Sequence, residues 1–292
     1  MYTNFPLYPT EIFTVTDYPV QTNSVDTVYA DLINALRSEI QACFDEIGVL
    51  PKRIYTDVSE RLDLMEIAAG MGVPAPISQW KMNDNAANTT VIDSVGSNTG
   101  TASANTSTMS VTGKINTALE FIGSSSEKVN CGSGTSLNII GSISIVFWIK
   151  STDENSSSII DRDTPSSPYP GYAIMFSRTT AGKFDFGING GWQANLNTTT
   201  VHDGEWHHVA ITGSGTTGKI YIDGVLDGTF TYSALVTTPS NTFYIGSNEG
   251  SSSFFTGALD DIRIYDFALS LSEVLGINNL ENGTEEERPL KR

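Results

Sequence analysis

The stretch EWHHVAITGSGTTGKIYIDG, residues 205–224, sets His207 and His208 side by side behind Trp206, with His202 just upstream and an Asp223–Gly224 pair downstream. Imidazoles so grouped can ligate zinc or exchange a proton near neutral pH. Their spacing argues against both uses. On a strand, Trp206 and His208 point one way while His207 and Val209 point the other, so the adjacent histidines cannot converge on one metal. Zinc held by His202 and one of the pair would lack a nearby cysteine or a helical H-E-x-x-H arrangement. The reading is therefore structural: Trp206 in a core, the histidines hydrogen-bonded to neighbouring strands, and hairpin turns at Gly213–Gly218 and Asp223–Gly224.

Sugar recognition is the other chemistry to consider. It needs an exposed aromatic ring, on which the apolar face of a pyranose stacks, among amides and carboxylates that orient the hydroxyls. Trp192 in NGGWQAN, Tyr169 and Tyr172 in SSPYPGY, and Phe254 and Phe255 in SSSFFTG fit that description. Each also has a packing alternative at a strand end or sheet edge. The chain contains no G-x-S-x-G elbow, P-loop or G-x-G-x-x-G fingerprint.

These residues sit in a chain of 292 residues with 33 acidic and 16 basic side chains, a net charge of −17. Phosphate neutralisation needs clustered Lys and Arg, so nucleic acid is excluded as a partner, and cations or neutral sugars suit the balance better. Cys43 and Cys131 lie in segments of different character and read as two small hydrophobes rather than a disulfide framework. The amino terminus, MYTNFPLYPTEIF, lacks the basic region and apolar stretch of a signal peptide, and no window reaches the length of a membrane span.

Composition changes near residue 75. Residues 1–22 carry three prolines and scattered aromatics, which fits an extended docking arm. Asn23 or Ser24 caps a helix whose apolar residues, from Val25 through Leu32, Leu36 and Phe44 to Ile47, recur every three or four positions until Gly48 and Pro51 end it. A second helix follows, with Asp57 and Glu60 as a capping box and Gly70 at its close. Two such helices bury little between themselves, so their stripe calls for other copies of the chain, a larger assembly or the β domain. With a linker at 71–76, these define a helical module over 23–70.

The segment DTVYADLINALRSEIQACFDEIGVLP, followed by YTDVSERLDLMEIA, resembles the amino-terminal module of bacteriophage fibre and appendage proteins. Val58, Arg61, Leu62 and Asp63 are the matching motif positions. The resemblance implies a device that anchors the protein on the particle and joins it into a homotrimer.

From residue 77 to 279 the pattern is all-β. SQWKM, ALEFI, SISIVFWIKS, YAIMFS, KFDFGI, EWHHVAIT, KIYIDGVL, NTFYIGS and ALDDIRIYDFAL read as strands separated by Gly, Ser, Thr and Asn turns. In SISIVFWIKS, Ile143, Ile145, Phe147 and Ile149 share one face and Val146 and Trp148 the other, so both faces are covered and the strand is central. The tail over 280–292, LENGTEEERPLKR in large part, is charged, lacks periodicity and reads as disordered.

GKINTALEFIGS, SISIVFWIK, DGEWHHVAIT, KIYIDGVLDGT, and YIGSN with FFTGALDDIRIYDFALSLSEV, in that order, resemble the laminin G-like jelly roll of the concanavalin A-like lectin and glucanase superfamily. The resemblance implies an antiparallel two-sheet sandwich whose rim loops or concave face bind glycans. It also implies one Ca²⁺, held by Asp93 and Asn98 of DSVGSN with Asp260 or Asp261; the alternative is that these side chains cap loop amides without a metal. Glycosidases of this architecture carry a paired-carboxylate motif such as E-x-D-x-x-E, which is missing here. The chain is thus expected to be no enzyme. The expected function is that of a bacteriophage virion structural protein (a fibre, appendage or capsid decoration) on the virion surface. It would contact other virion proteins through the amino-terminal module and bind cell-surface glycans weakly and multivalently. The competing readings are a decoration protein without ligand and, less prominently, a calcium-dependent glycan hydrolase.

Overall fold

A computed structural model describes residues 73–154, 156–163, 171–189, 191–233 and 241–282. The arm over 1–22, the helical module over 23–70, the residues Val58, Arg61, Leu62 and Asp63, and Tyr169 lie outside the described residues.

The strands run in chain order β1 (Ser78–Trp80), β2 (Thr90–Val91), β3 (Gly100–Ala102), β4 (Ser110–Thr112), β5 (Thr117–Phe121), β6 (Val129–Asn130), β7 (Ile143–Lys150), β8 (Ser158–Asp161) and β9 (Tyr172–Phe176). They continue as β10 (Phe184–Ile188), β11 (Gly191–Gln193), β12 (Trp206–Ser214), β13 (Thr217–Ile222), β14 (Val225–Thr231), β15 (Tyr244–Ile245) and β16 (Gly257–Tyr265). Two helices are described: a single turn, α1 (Thr106–Met109), and α2 (Leu271–Asn282).

The first sheet has the order β14-β13-β12-β7-β16-β5-β4, with β1 also on β16; the second has the order β11-β10-β9-β8-β15-β6-β3-β2. All pairings between these strands are antiparallel. This is the two-sheet sandwich that the strand pattern predicts.

The sheets meet through Ile145, Phe147 and Ile149 of β7, Val209 and Ile211 of β12, and Phe184, Phe186 and Ile174 of the second sheet. Trp80 lies stacked on Phe243, ring centroids 5.1 Å apart, and its indole N–H donates to the Asn98 carbonyl (2.9 Å). That one side chain ties β1 to the second sheet and satisfies its own polar atom.

The outward face of β7 is covered as well. Val146, Ala210, Tyr221 and Tyr265 form a second cluster with Leu269, Val274 and Ile277. The last two belong to α2, which packs there because a capping box starts it: the Ser270 amide donates to Glu273 Oε2 (2.7 Å) and the Glu273 amide to Ser270 Oγ (3.3 Å). Sequence periodicity misses this helix, and its backbone extends through Asn282 into the tail expected to be disordered. Strands of two to four residues, among them β2, β3, β6, β8 and β11, are also missed because they are too short to alternate visibly.

Trp206 corrects the sequence reading. It opposes Lys150 on the outer face of the first sheet and is partly exposed, because the core face of β12 belongs to Val209 and Ile211. The predicted turn over Gly213–Gly218 narrows to Gly215–Thr216, with pairing continuing to Ser214.

Trp80→Ala leaves a void between the sheets and an unused acceptor at Asn98. It should lower the unfolding free energy by about 3–5 kcal/mol in urea titrations with an unchanged slope; a loss below about 1 kcal/mol would show that the stack holds nothing together.

Candidate functional site

The non-core face of the second sheet carries the polar and aromatic side chains that the sequence reading seeks, with Gly187, Ala173 and Asp161 in its middle buried and Trp192 and Tyr244 at its ends partly exposed. Directly opposed residues in an antiparallel sheet share a face. The register Trp192↔Gly187, Gly187↔Ala173, Ala173↔Asp161 and Asp161↔Tyr244 therefore sets these five in one row across β11, β10, β9, β8 and β15. Four strand spacings of about 4.8 Å put Trp192 and Tyr244 about 19 Å apart on that face.

At one end, the partly exposed Trp192 lies across Gly187, where a Cβ would sit 2.9 Å from the indole; only glycine leaves room for the ring. The Arg178 guanidinium stands 4.9 Å from the ring centroid and 3.7 Å from the buried Asp185 carboxylate. Asp185 in turn accepts the Asn195 amide (3.0 Å), where Asn195 holds a left-handed backbone conformation. The ring is thus packed on Gly187 with the Arg178 guanidinium over it, a cation–π pair that leaves the indole partly exposed.

Towards the other end, a cavity of about 250 Å³ is lined by Asp161, Asp163, Asn241, Thr242, Tyr244 and Glu249. Asp161 is 1% exposed. Its Oδ2 accepts the Asn248 side-chain amide (2.8 Å), while its Oδ1 has no hydrogen-bond partner. Burial first, then the charge of Asp163, pushes its carboxyl up to about 7. The Asn241 side chain donates to the Asp163 carbonyl (2.6 Å), tying together the two chain segments at the mouth. None of these six was singled out from sequence, although the D-x-D of IIDRD is the signal that marks two of them.

The other predicted aromatics divide. Tyr172 and Phe255 are not surface rings but core: Tyr172 is buried with its hydroxyl donating to the Leu137 carbonyl (3.2 Å), and Phe255 packs against Phe121 and Phe176. Both are fully buried, so neither can stack on a sugar. Phe254 is partly exposed, with the Lys128 ammonium 5.2 Å from its ring.

The residues expected to hold calcium are brought only partly together, and most of their oxygens are already in use, Asp260 Oδ1 being without a hydrogen-bond partner. Asp93 Oδ1 accepts the amides of Gln79 (3.0 Å), Val95 (3.2 Å) and Gly96 (2.8 Å), and Oδ2 accepts that of Asn98 (2.9 Å). Burial raises this carboxyl, but those amide bonds outweigh it and hold it below the ordinary range. The Asn98 side-chain amide donates to Ser78 and Ser136. Asp261 accepts the Gln79 side chain (2.5 Å) and is paired with Arg263 (2.6 Å).

Asp260 lies apart, at the Ile115 amide (2.8 Å). Both aspartates are buried, because a bulge after Asp260 and a left-handed Asp261 break the alternation that would have sent one outward. Six to eight free oxygens are not available, and the donor set does not fit Ca²⁺.

The histidines behave in two ways. His207 Nδ1 meets Asp223 (2.9 Å) and Nε2 meets Asp203 (3.2 Å); the Asp223 hydrogen bond chiefly raises its pKa. His208 packs edge-on to Trp148 (5.1 Å), and neither ring nitrogen has a hydrogen-bond partner, contrary to the cross-strand bonding expected. Burial pushes it down to about 3. Among the described residues no group of His, Cys, Asp or Glu is placed to hold a metal ion, and no helix is long and apolar enough to cross a membrane.

Residues 123–275, more than half of the chain, match the family model described as the concanavalin A-like lectin/glucanases superfamily, of laminin G type. The chain belongs to that superfamily. A curated relative from Mus musculus, the sushi, von Willebrand factor type A, EGF and pentraxin domain-containing protein 1, is 29% identical over 155 residues, 47% of this chain. The match spans only 4% of that relative's length.

Among solved structures, domain 4 of a GH43 extracellular arabinanase from Geobacillus stearothermophilus, in complex with arabinotriose, is similar with a TM-score of 0.55 at 21% identity, over 70% of this chain and 98% of that one. A botulinum neurotoxin type C chain, from a toxin whose uptake by cells depends on interaction with two ganglioside molecules, has a TM-score of 0.54 at 18% identity over 76% and 53%. A Trypanosoma rangeli sialidase has a TM-score of 0.53 at 11% identity over 77% and 39%. These likenesses show the fold. They also correct the expectation that the chain is no enzyme: the same fold occurs in chains of glycoside-cleaving enzymes as well as outside enzymes, so a missing E-x-D-x-x-E motif does not carry that exclusion.

Two outcomes follow from this geometry. Calcium and EDTA should leave the thermal midpoint unchanged, whereas a calcium-dependent rise would contradict the capping assignment of Asp93 and Asp261. Asp161 titrates near 7 when folded but as an ordinary carboxylate when unfolded, so the folded chain holds the extra proton between these values. Its contribution is present at low pH and lost as pH rises through about 7. Asp161→Asn should therefore gain in melting temperature over the parent from pH 4.5 to pH 8; parallel curves would refute the burial argument.

Proposed function

We propose that the chain is a glycan-binding structural protein of a bacteriophage virion, a fibre, appendage or capsid decoration, with its lectin-like sandwich displayed outward. The observation that carries the binding part is the shared non-core face of the second sheet, where the partly exposed Trp192, with Arg178 over its ring, lies in register with the polar cavity at Asp161 and Tyr244. A ring to stack on and convergent oxygens to orient hydroxyls are the two requirements of a sugar site. The arabinotriose held by the arabinanase domain and the gangliosides of the neurotoxin support glycans as the ligand class.

The virion part is supported by the likeness of residues 25–69 to the amino-terminal module of phage appendages. In this reading that module fixes the protein on the particle and gathers three copies, and the virion surface is its location. Three copies, repeated over a particle, turn weak single sites into useful avidity.

A glycan array probed with the full chain should show binding that Trp192→Ala weakens about tenfold or more while the circular dichroism spectrum stays unchanged. An array silent for the parent would leave a decoration role without ligand. Release of new reducing ends from a bound glycan would move the reading to hydrolysis.

A further inference from the structure

His207 is held from two sides in a way that a neutral imidazole cannot satisfy. Its Nδ1 lies 2.9 Å from Asp223 Oδ2 and its Nε2 lies 3.2 Å from Asp203 Oδ1. A neutral ring has one N–H to donate and one lone pair, and that lone pair would face the second carboxylate; only the imidazolium donates from both nitrogens. Asp203 reaches the ring from the segment ahead of β12 and Asp223 from the β13–β14 turn. β7 sets the apolar Ile149 opposite it, and His208, its neighbour in the chain, points to the other face.

These contacts join three parts of the chain at one corner of the first sheet. Residues 194–204 cross from the second sheet to the first, fixed by the buried Leu196 and Val201 and by the Thr198 and Thr199 amides, which donate to Asp227 (2.7 and 2.9 Å). The end of this segment is held more lightly. The Gly204 amide donates to the Ser151 carbonyl (3.0 Å), and Asp203 accepts from His207 and from the Glu205 amide (2.9 Å). On the other side Asp223 and Gly224 turn in the left-handed region, with φ of 53° and 79°, and lead into the exposed Val225 and Leu226. Asp223 Oδ1 also accepts the His208 amide (2.9 Å), so the carboxylate that bonds the imidazole positions the turn as well.

We propose that His207 is a proton-operated clasp: as an imidazolium it fastens the end of the crossing segment to the β13–β14 turn, and on losing a proton it keeps only one of its two carboxylate bonds, so that this corner loosens as the solution turns alkaline.

The Asp223 hydrogen bond chiefly raises the His207 pKa above that of a free imidazole. The Glu205 amide chiefly lowers Asp203; burial raises Asp223, but the bonds from His207 and the His208 amide outweigh it and hold it low. Both carboxylates are therefore ionised before the ring titrates, and His207 is the member of the three that changes charge. A histidine whose folded pKa lies above its unfolded value of about 6.5 contributes fully below that value and loses the contribution as pH rises through the folded pKa. His208, pushed down to about 3 by burial, stays neutral throughout.

Imidazole NMR and amide hydrogen exchange of the full chain test the clasp. His207 should titrate above about 6.5, and Asp203→Asn and Asp223→Asn should each lower that titration. Asparagine tolerates the left-handed backbone at 223 and still offers an oxygen to the His208 amide, so the variant tests the charge rather than the turn. Amide exchange over 202–204 and 223–226, corrected for the intrinsic rate, should be about tenfold or more faster at pH 8.5 than at pH 6, with Val209 and Ile211 unmoved. His207→Gln, which has no proton to lose in this range, should abolish the difference. Asp161 also titrates near 7, and His207→Gln separates the two because it leaves Asp161 in place. A His207 titration at or below about 6.5, or the same pH dependence of exchange in His207→Gln, overturns the proposal.

Discussion

An antiparallel sheet allows each strand only one register once its inward side chains are committed to the core, and every outward side chain is then placed by the same choice. In the second sheet the commitment is made by Phe176, Phe184, Phe186, Ile174 and Ile245, all buried between the layers. A slip of one residue among β8, β9, β10 and β15 would turn these side chains away from the core. Trp192, Asp161 and Tyr244 share the outward face because the core admits no other pairing. What the face can recognise is a by-product of what the interior must bury.

In both sheets the central strands β7, β8, β9 and β10 are buried at every position but Lys150. The first sheet is covered on one face by the opposite sheet and on the other in part by α2, so β7 is apolar on alternate and intervening positions alike. Chemistry-bearing residues on or beside that sheet are largely committed to structure, although Asp260 Oδ1 and both ring nitrogens of His208 are buried without a hydrogen-bond partner. Asp93 closes a loop on four amides, Asp261 neutralises Arg263, and His208 is sealed against Trp148. In the second sheet Asp161 is in the same state as Asp260, buried with one carboxylate oxygen unpartnered.

Much of the sandwich was legible in the sequence because long strands such as β7, β12 and β16 alternate over enough residues to show their period. The two-faced burial of β7 was legible for the same reason. Short strands such as β8 and β11 were not, since three or four residues display too little period, although β15 lies within the stretch NTFYIGS read as a strand. Asp161 sits on the missed β8, and for that reason the cavity escaped notice. Trp192 could be picked out by its polar surroundings, but Tyr172 and Phe255 have equally polar neighbours in sequence and only the register reveals that they point inward. The Asp260–Asp261 pair misled in a related way, because a bulge suspends the alternation on which the argument relied. Motif order located the family, whereas the ligand-facing residues depend on pairings between segments far apart in the chain.

The central claim, that the outward face of the second sheet is the recognition surface, is tested most directly by amide chemical-shift mapping of the full chain with its strongest array oligosaccharide. Perturbations should fall in the row from Trp192 and Gly187 to Asp161, Tyr244 and Glu249 and leave β7 and β12 unmoved. Shifts confined to the first sheet or to the β12–β13 turn, with this row silent, would contradict the account.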